Sequence, residues 1–306
     1  MSNTWTGMVT TNIAREGFDA LLKALVPLDA FSRDFSTDIP QGKVVQSRIV
    51  PASTAQDLEN DHSGDYSAAA GNTATTQVQV TLDKHPVDGF HLTDKEAQEI
   101  ASGVWSDTAR RIVRTKAYSV AKSFLDSVFA GITADPFTSG SEVTIASFDE
   151  DDVVDLRQEA INAGWVHSPE NSVLMVNPAM YASLLKADLI KDYSASQSDA
   201  LRSGQLPSLG GFRVIEAPTL PHNDEGLVGF IAQADAMAVA IRGVQTQAPG
   251  DFLDFQLMQD DVTGIVMAYA AWFDRNIRKV NHTFEVYGGS ARGNVNALRR
   301  LYVSDS

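Results

Sequence analysis

Residues 93–131 read TDKEAQEIASGVWSDTARRIVRTKAYSVAKSFLDSVFAG. Thr93, Asp94, Lys95 and Glu96 form a capping box, in which the Thr hydroxyl and the Glu carboxylate each satisfy a backbone N–H that a helix start leaves orphaned. Apolar side chains then recur at helical spacing, at Ala97, Ile100, Val104, Ile112, Val120, Phe124 and Val128, and Gly131 is the stop. The stretch predicts one helix of about 36 residues, ~54 Å long at ~1.5 Å per residue. A globule of this chain's length has a radius of gyration near ~19 Å, so such a helix crosses the whole body. The expectation is a flat or elongated subunit with a helical spine. Gly103 is the spine's weakest point.

Upstream of the spine the chain reads as a projection. Lys43–Val50 and Thr76–Asp83 are strand-like, and the second alternates Val78, Val80 and Leu82 against Gln77, Gln79 and Thr81. About 25 residues rich in Ser, Thr, Ala, Asp, Asn and Gly lie between them, a length that compact domains reserve for working loops or disordered segments. An isolated hairpin is marginal in water, so this one needs a packing partner, for which another subunit is a candidate. The first 42 residues read as an arm. They hold a short helix over about Thr11–Val26 with Phe18, Leu21, Leu22 and Leu25 on one side, stopped by Pro27, and a turn at Asp38–Gly42.

Downstream the chain reads as α/β. Ser147, Phe148, Asp149 and Glu150 form a second capping box, opening a helix that ends at Ala163 and Gly164. Val173–Val176 is a buried strand, and Asn177-Pro178 caps and starts another helix. Gly211–Glu216, Gly226–Ile231, Phe252–Met258, Ile265–Phe273, Phe284–Tyr287 and Leu298–Val303 are further strands. No repeat of 20–50 residues is visible.

The chain has 306 residues with 24 Lys+Arg and 39 Asp+Glu, a net charge of -15. That argues against sequence-independent nucleic-acid binding through a generally basic surface. Two thirds of the net charge falls in residues 132–247, a candidate domain with its own solvated surface. The absence of cysteine excludes a disulfide scaffold, a thiolate metal site and a Cys nucleophile. The N-terminus has no signal-peptide pattern, and the longest near-apolar run, Gly264–Phe273, is about half of the ~20 residues a membrane span needs. A soluble protein that is not exported is expected.

Motifs for chemistry are incomplete. The acids Asp149, Glu150, Asp151, Asp152 and Asp155 suit a helix start, where the dipole stabilises each by ~0.3–1 kcal/mol, better than a metal site. Asp57, Glu59 and Asp61 alternate as in a calcium loop. The turn glycine, Gly64, is eighth instead of sixth, however, and Ala68 stands where a Glu ligand belongs. The six histidines (62, 85, 91, 167, 222 and 282) show no metal-ligand spacing on a predicted helix, and His85 and His91 flank a bend at Pro86 and Gly89. Gly288–Gly293 resembles a phosphate loop only loosely and reads as a hairpin turn. No catalytic set, cofactor site or metal site is expected.

The order of parts carries a resemblance. Leu92-Thr93-Asp94-Lys95-Glu96 opens the spine; Val173-Leu174-Met175-Val176-Asn177-Pro178 and Leu184-Leu185 follow. Then come Gly210-Gly211-Phe212-Arg213-Val214-Ile215, Ala217-Pro218-Thr219-Leu220-Pro221 and Ala268-Tyr269-Ala270-Ala271-Trp272 with Arg275 and Arg278. This order resembles the major capsid proteins of tailed bacteriophages with the Hong Kong 97-like fold, from about residue 10 onward. The resemblance implies an α+β chain with an N-terminal arm (1–42) and an extended E-loop (43–92). It also implies a peripheral domain with the spine helix (93–146 and 248–289) and an α/β axial domain (147–247 and 290–306). It implies hexamers and pentamers in an icosahedral shell around double-stranded DNA, in a virion assembled in the bacterial cytoplasm. A portal, a separate scaffolding protein (Met1 stands almost at the arm) and a decoration protein are the expected partners, with no membrane. Contacts between subunits would involve Lys43, Arg48, Asp57, Glu59, Asp61 and Lys84. Some members join an E-loop lysine to an asparagine of a neighbour; Lys43 and Lys84 are available, but no partner is matched. A net acidic subunit suits a container whose DNA slides, with weak, salt-insensitive binding.

Two rivals remain at this point. An encapsulin, with the same fold, encloses enzymes instead of DNA. A soluble hydrolase would use acids of 149–155.

Overall fold

The structure, a computed structural model, describes residues 5–34, 44–49, 76–93, 95–96, 107–135, 140–144, 148–165, 171–187, 208–218, 226–244, 249–276 and 279–303, with isolated positions 137, 206 and 220. In chain order the elements are α1 (Trp5–Leu25), α2 (Leu28–Phe31), β1 (Ser32–Asp34), β2 (Val44–Ile49), β3 (Thr76–Thr81), β4 (Val87–Thr93), α3 (Asp107–Phe129), β5 (Gly140–Glu142), α4 (Glu150–Asn162), β6 (Ser172–Val176), α5 (Pro178–Lys186), β7 (Arg213–Glu216), β8 (Leu227–Gln233), β9 (Met237–Arg242), β10 (Asp254–Gln259), β11 (Val266–Asp274), β12 (Lys279–Glu285), β13 (Tyr287–Arg292) and β14 (Leu298–Tyr302).

The spine is α3, 23 residues or ~34 Å long. Its buried stripe is Val113, Ala117, Val120, Phe124 and Val128, spaced three and four apart. Val120, Phe124 and Val128 are buried as expected, whereas Ile112, expected on that stripe, is 41% exposed and Val113 takes its place. The capping box is present, since Thr93 N–H donates to Glu96 Oε2 at 2.8 Å and Glu96 N–H to Thr93 Oγ1 at 3.4 Å. Thr93 is also the last residue of β4. Ala97, Ile100, Gly103 and Val104 lie outside the described residues.

α1 and α3 pack side by side, and Ile13, Ala14, Phe18, Leu21 and Leu25 of α1 are buried in the main core. The segment read as an arm is thus built into the body, and β1 pairs in parallel with β9. Pro27 separates α1 from α2, as its missing N–H requires. Asp38–Gly42 lies outside the described residues.

Five strands, ordered β5-β14-β8-β6-β7, form a mixed sheet buried on both faces. Val173, Met175, Phe230 and Ala232 face the core shared with α1–α3. Leu174, Val176 and Ile231 face α4 and α5 through Val153, Leu156, Met180 and Leu184. The cap of α4 is Asp149: it accepts from Asp151 N–H at 3.0 Å, and Asp152 Oδ2 accepts from Asp149 N–H at 3.0 Å. The box therefore sits two residues beyond the expected one. Asn177 caps α5 by accepting from Met180 N–H at 2.9 Å, with Pro178 in the first turn.

The hairpin β2–β3 leans on its own chain. Val45, Val78, Val80 and Leu82 pack on Ala238 and Ala240 of β9. Gly288–Arg292, read as part of a turn, lies in strand β13, antiparallel to β9. A Cβ at Gly289 would overlap the carbonyl of Thr81, so the glycine is what lets the hairpin root approach. The antiparallel sheet β10-β11-β12-β4 lays Met267, Tyr269, Ala271 and Phe284 on the two long helices. His91, placed beside a bend by the sequence, stands in strand β4 opposite Asn281.

Candidate assembly surfaces

The hairpin root is fastened at several points. Lys84 and Gly288 exchange backbone hydrogen bonds of 3.0 and 2.9 Å. Tyr287 donates its hydroxyl to the Leu82 carbonyl at 2.9 Å. His85 lies edge-on to Tyr287, with its Nε2 2.9 Å from Glu285 Oε2. The outward face is polar, with Gln77 donating to Gln46 at 2.7 Å. Of the six expected contact residues, Lys43, Asp57, Glu59 and Asp61 lie outside the described residues. Arg48 is placed only by its backbone, opposite Gln77 in β2. Lys84 is half-exposed beside Asp83 at 3.2 Å.

A second surface, which sequence reading missed, is the outer face of the four-stranded sheet. Val87, Val244, Phe252, Phe255, Ala270 and Trp272 line an open groove of about 490 Å³ there. The Phe252 ring lies 5.9 Å from Phe255 and 6.2 Å, edge to face, from Trp272. Strand alternation was the available signal. Once Met267, Tyr269 and Ala271 face the helices, Ala268, Ala270 and Trp272 must face away.

A third surface is the exposed side of α1 and α3. Arg110, Arg111 and Lys122 are exposed there, and Arg114 reaches across to Glu16 at 2.5 Å. At its edge Lys116 pairs with Asp88 at 3.0 Å. Burial alone would raise the Asp88 carboxyl, but Lys116 and the N–H of Gly89 outweigh it and hold the group below the usual range.

The acids of 149–155 are arranged as a helix start. Partial burial, with Asp149, Asp151 and Asp155 nearby, pushes the Asp152 carboxyl up. The described residues include no cluster of three or more His, Asp or Glu able to hold a metal, and no helix long and apolar enough to cross a membrane.

A family model described as phage capsid protein matches residues 74–281, more than half of the chain. The chain belongs to the phage capsid protein family. The capsid protein's fold agrees. It is similar to the capsid of cyanophage P-SCSP1u, with a TM-score of 0.56 at 13% identity over 90% of this chain and 87% of that one. It is similar to the mature capsid of bacteriophage PhiM1, with 0.54 at 11% identity over 91% and 87%. It is similar also to a virus-like particle from Pyrococcus furiosus, with 0.52 at 14% identity over 94% and 98%. No curated protein matches it in sequence. The capsid protein thus has the Hong Kong 97-like α+β fold and is a structural protein of a phage capsid.

Proposed function

We propose that this is the major coat protein of a tailed phage, which closes as hexamers and pentamers into an icosahedral head around double-stranded DNA. The family match over residues 74–281 carries the reading. On this reading residues 43–92 form the E-loop, 93–146 with 248–289 the peripheral domain, and 147–247 with 290–306 the axial domain. Residues 1–42 serve as the arm, although α1 also packs into the body. Lys43, Arg48, Asp57, Glu59, Asp61 and Lys84 then meet neighbouring subunits, since symmetric closure reuses one set of surfaces in every copy. A separate scaffolding protein, a portal and a decoration protein complete the head, which assembles in the host cytoplasm. Negative-stain microscopy with light scattering on the purified chain, alone and with its scaffold, tests this. Closed shells or capsomers support it; a monomer that stays monomeric with scaffold and crowding refutes it.

The second reading is an encapsulin-type shell around enzyme cargo, and the likeness to a virus-like particle, over 98% of that chain, shows that the fold suits a particle of either kind. Purified particles that carry an enzyme and no DNA would select it.

A further inference from the structure

The exposed side of the two long helices reverses the sign of the chain's charge. On α1 the solvent stripe is Thr11, Arg15, Asp19 and Lys23, and on α3 it is Arg111, Thr115, Tyr118 and Lys122, flanked by Arg110 and Arg114. Six cations stand with three carboxylates, Glu16, Asp19 and the half-buried Asp126 one turn from Lys122, on a chain of net charge -15. Glu16 is taken by Arg114. Among the described residues, Arg15, Lys23, Arg110, Arg111 and Lys122 have no ion pair. One open groove of about 450 Å³ joins the two stripes, with Lys23 on one bank and Arg114, Thr115 and Tyr118 on the other.

We infer that this two-helix face takes the phosphate backbone of double-stranded DNA, and is therefore the surface that the shell turns to its lumen. The inference rests on the coat-protein reading. Arg111 and Lys122 are ~16 Å apart along the helix, and DNA presents one charge per ~1.7 Å of axis, so the stripe follows a run of phosphates. The acids of α4 lie across the five-stranded sheet, two layers or roughly 20 Å away. At physiological salt the Debye length is ~8 Å, so they barely weaken the patch. Exposed Thr115 and Ser123 add hydroxyls that can donate to phosphate oxygens. An acidic protein segment would meet the same cations, but a protein interface is organised around a desolvated apolar centre. The groove here is lined by Glu16, Asp19, Lys23, Arg114 and Thr115 as well as Tyr118. Binding is weak, indifferent to sequence and salt-dependent. The last property departs from the salt-insensitive contact that net charge alone implied.

The test titrates a fluorescent 30-base-pair duplex with unassembled full-length chain by anisotropy at salt from ~50 to ~300 mM. The wild type is compared with a triple variant, Arg110→Gln, Arg111→Gln and Lys122→Gln, and with Arg157→Gln on α4 as control. Each phosphate contact contributes ~0.9 to the slope of log K against log[salt], so the triple variant's slope falls by about 2.7 while the control's holds. An equal slope in wild type and triple variant, or no wild-type binding at the lowest salt, overturns the inference. So does a triple variant that keeps DNA binding and loses scaffold binding, because the face would then belong to a protein. Shell formation is scored by microscopy on the same preparations. Wild-type chain that stays monomeric even with scaffold and crowding removes the coat reading itself, whereas shells with an unchanged slope remove only the assignment of this face.

Discussion

Lowering the pH should destabilise the subunit through one buried histidine. His282 is 3% exposed in β12, stacked 5.0 Å from Phe90, with its Nδ1 2.7 Å from the Tyr269 hydroxyl. Burial pushes the Tyr269 phenol up, so it stays protonated and donates to Nδ1; the imidazole proton then sits on Nε2. A proton on Nδ1 would remove that acceptor and leave a charge among Phe90, Tyr269 and Phe284. Burial accordingly lowers the His282 pKa from 6.5 to about 4. The unfolded chain takes the proton first as pH falls. Stability is therefore complete above about 6.5 and declines toward about 4, by ~1.4 kcal/mol per pH unit. The loss comes to about 2 kcal/mol at pH 5 and about 3.4 kcal/mol in full. For a chain of this size 2 kcal/mol corresponds to a Tm shift of ~3 °C. Urea unfolding of the unassembled chain at pH 8 and pH 5 reads this out. His282→Gln, which does not ionise, is the reference that cancels all other titrating groups. Wild type should lose about 2 kcal/mol more than the variant between the two pH values. If both decline in parallel, His282 is not the responsible group and the reasoning fails.

Three further substitutions probe separate joints. Gly289→Ala drives a methyl into the Thr81 carbonyl, so amide exchange at Val78 and Val80 should rise at least tenfold while Val173–Val176 stay protected; unchanged exchange would contradict the docking of the hairpin. Phe284→Ala removes a fully buried ring that lies against Gly17, Phe90 and Tyr269, and should cost about 3–5 kcal/mol in urea unfolding, with a loss under ~1 kcal/mol counting against the packing. Asn177→Ala removes the cap of α5 and should cost about 1 kcal/mol by the same assay, whereas Asn177→Asp should cost little.

Local chemistry was legible in the sequence wherever one element decides it. The Thr93–Glu96 box, the Asn177-Pro178 start and the alternation of Val78, Val80 and Leu82 each depend on residues within a few positions. The start of α4 shows where such signals run short. Ser147 with Glu150 and Asp149 with Asp152 both satisfy the box pattern. Packing selects the second: with Asp149 as the cap, Phe148 precedes it and Val153 is the fourth helical residue, and both are buried in one cluster as a hydrophobic staple. With Ser147 as the cap, the fourth residue would be Asp151, which is exposed. Strand β9 was not anticipated, and the turn expected at Gly288–Gly293 became strand β13, for a different reason. Their pairing with each other and with β1 joins residues 32–34, 237–242 and 287–292, and no local period reports such a distant match. The same holds for the hairpin's partner, because Lys84 meets Gly288 about two hundred residues away.

Charge was the property most distorted by reading along the chain. Residues 93–131 sum to +1, which looks unremarkable. Three of the five acids, Asp94, Glu96 and Glu99, precede α3, while five of the six cations lie within it. The fold separates them further. Lys116 turns to Asp88 and Arg114 to Glu16, leaving Arg110, Arg111 and Lys122 on one exposed stripe beside the cations of α1. A net charge of -15 describes how the chain repels its copies and stays dispersed. What one face attracts is decided within a Debye length of ~8 Å, a distance over which the acids of α4 and the cations of α3 do not average. A coat protein can thus be acidic as a molecule and basic on one side, and only the folded arrangement of α1 against α3 makes that side visible.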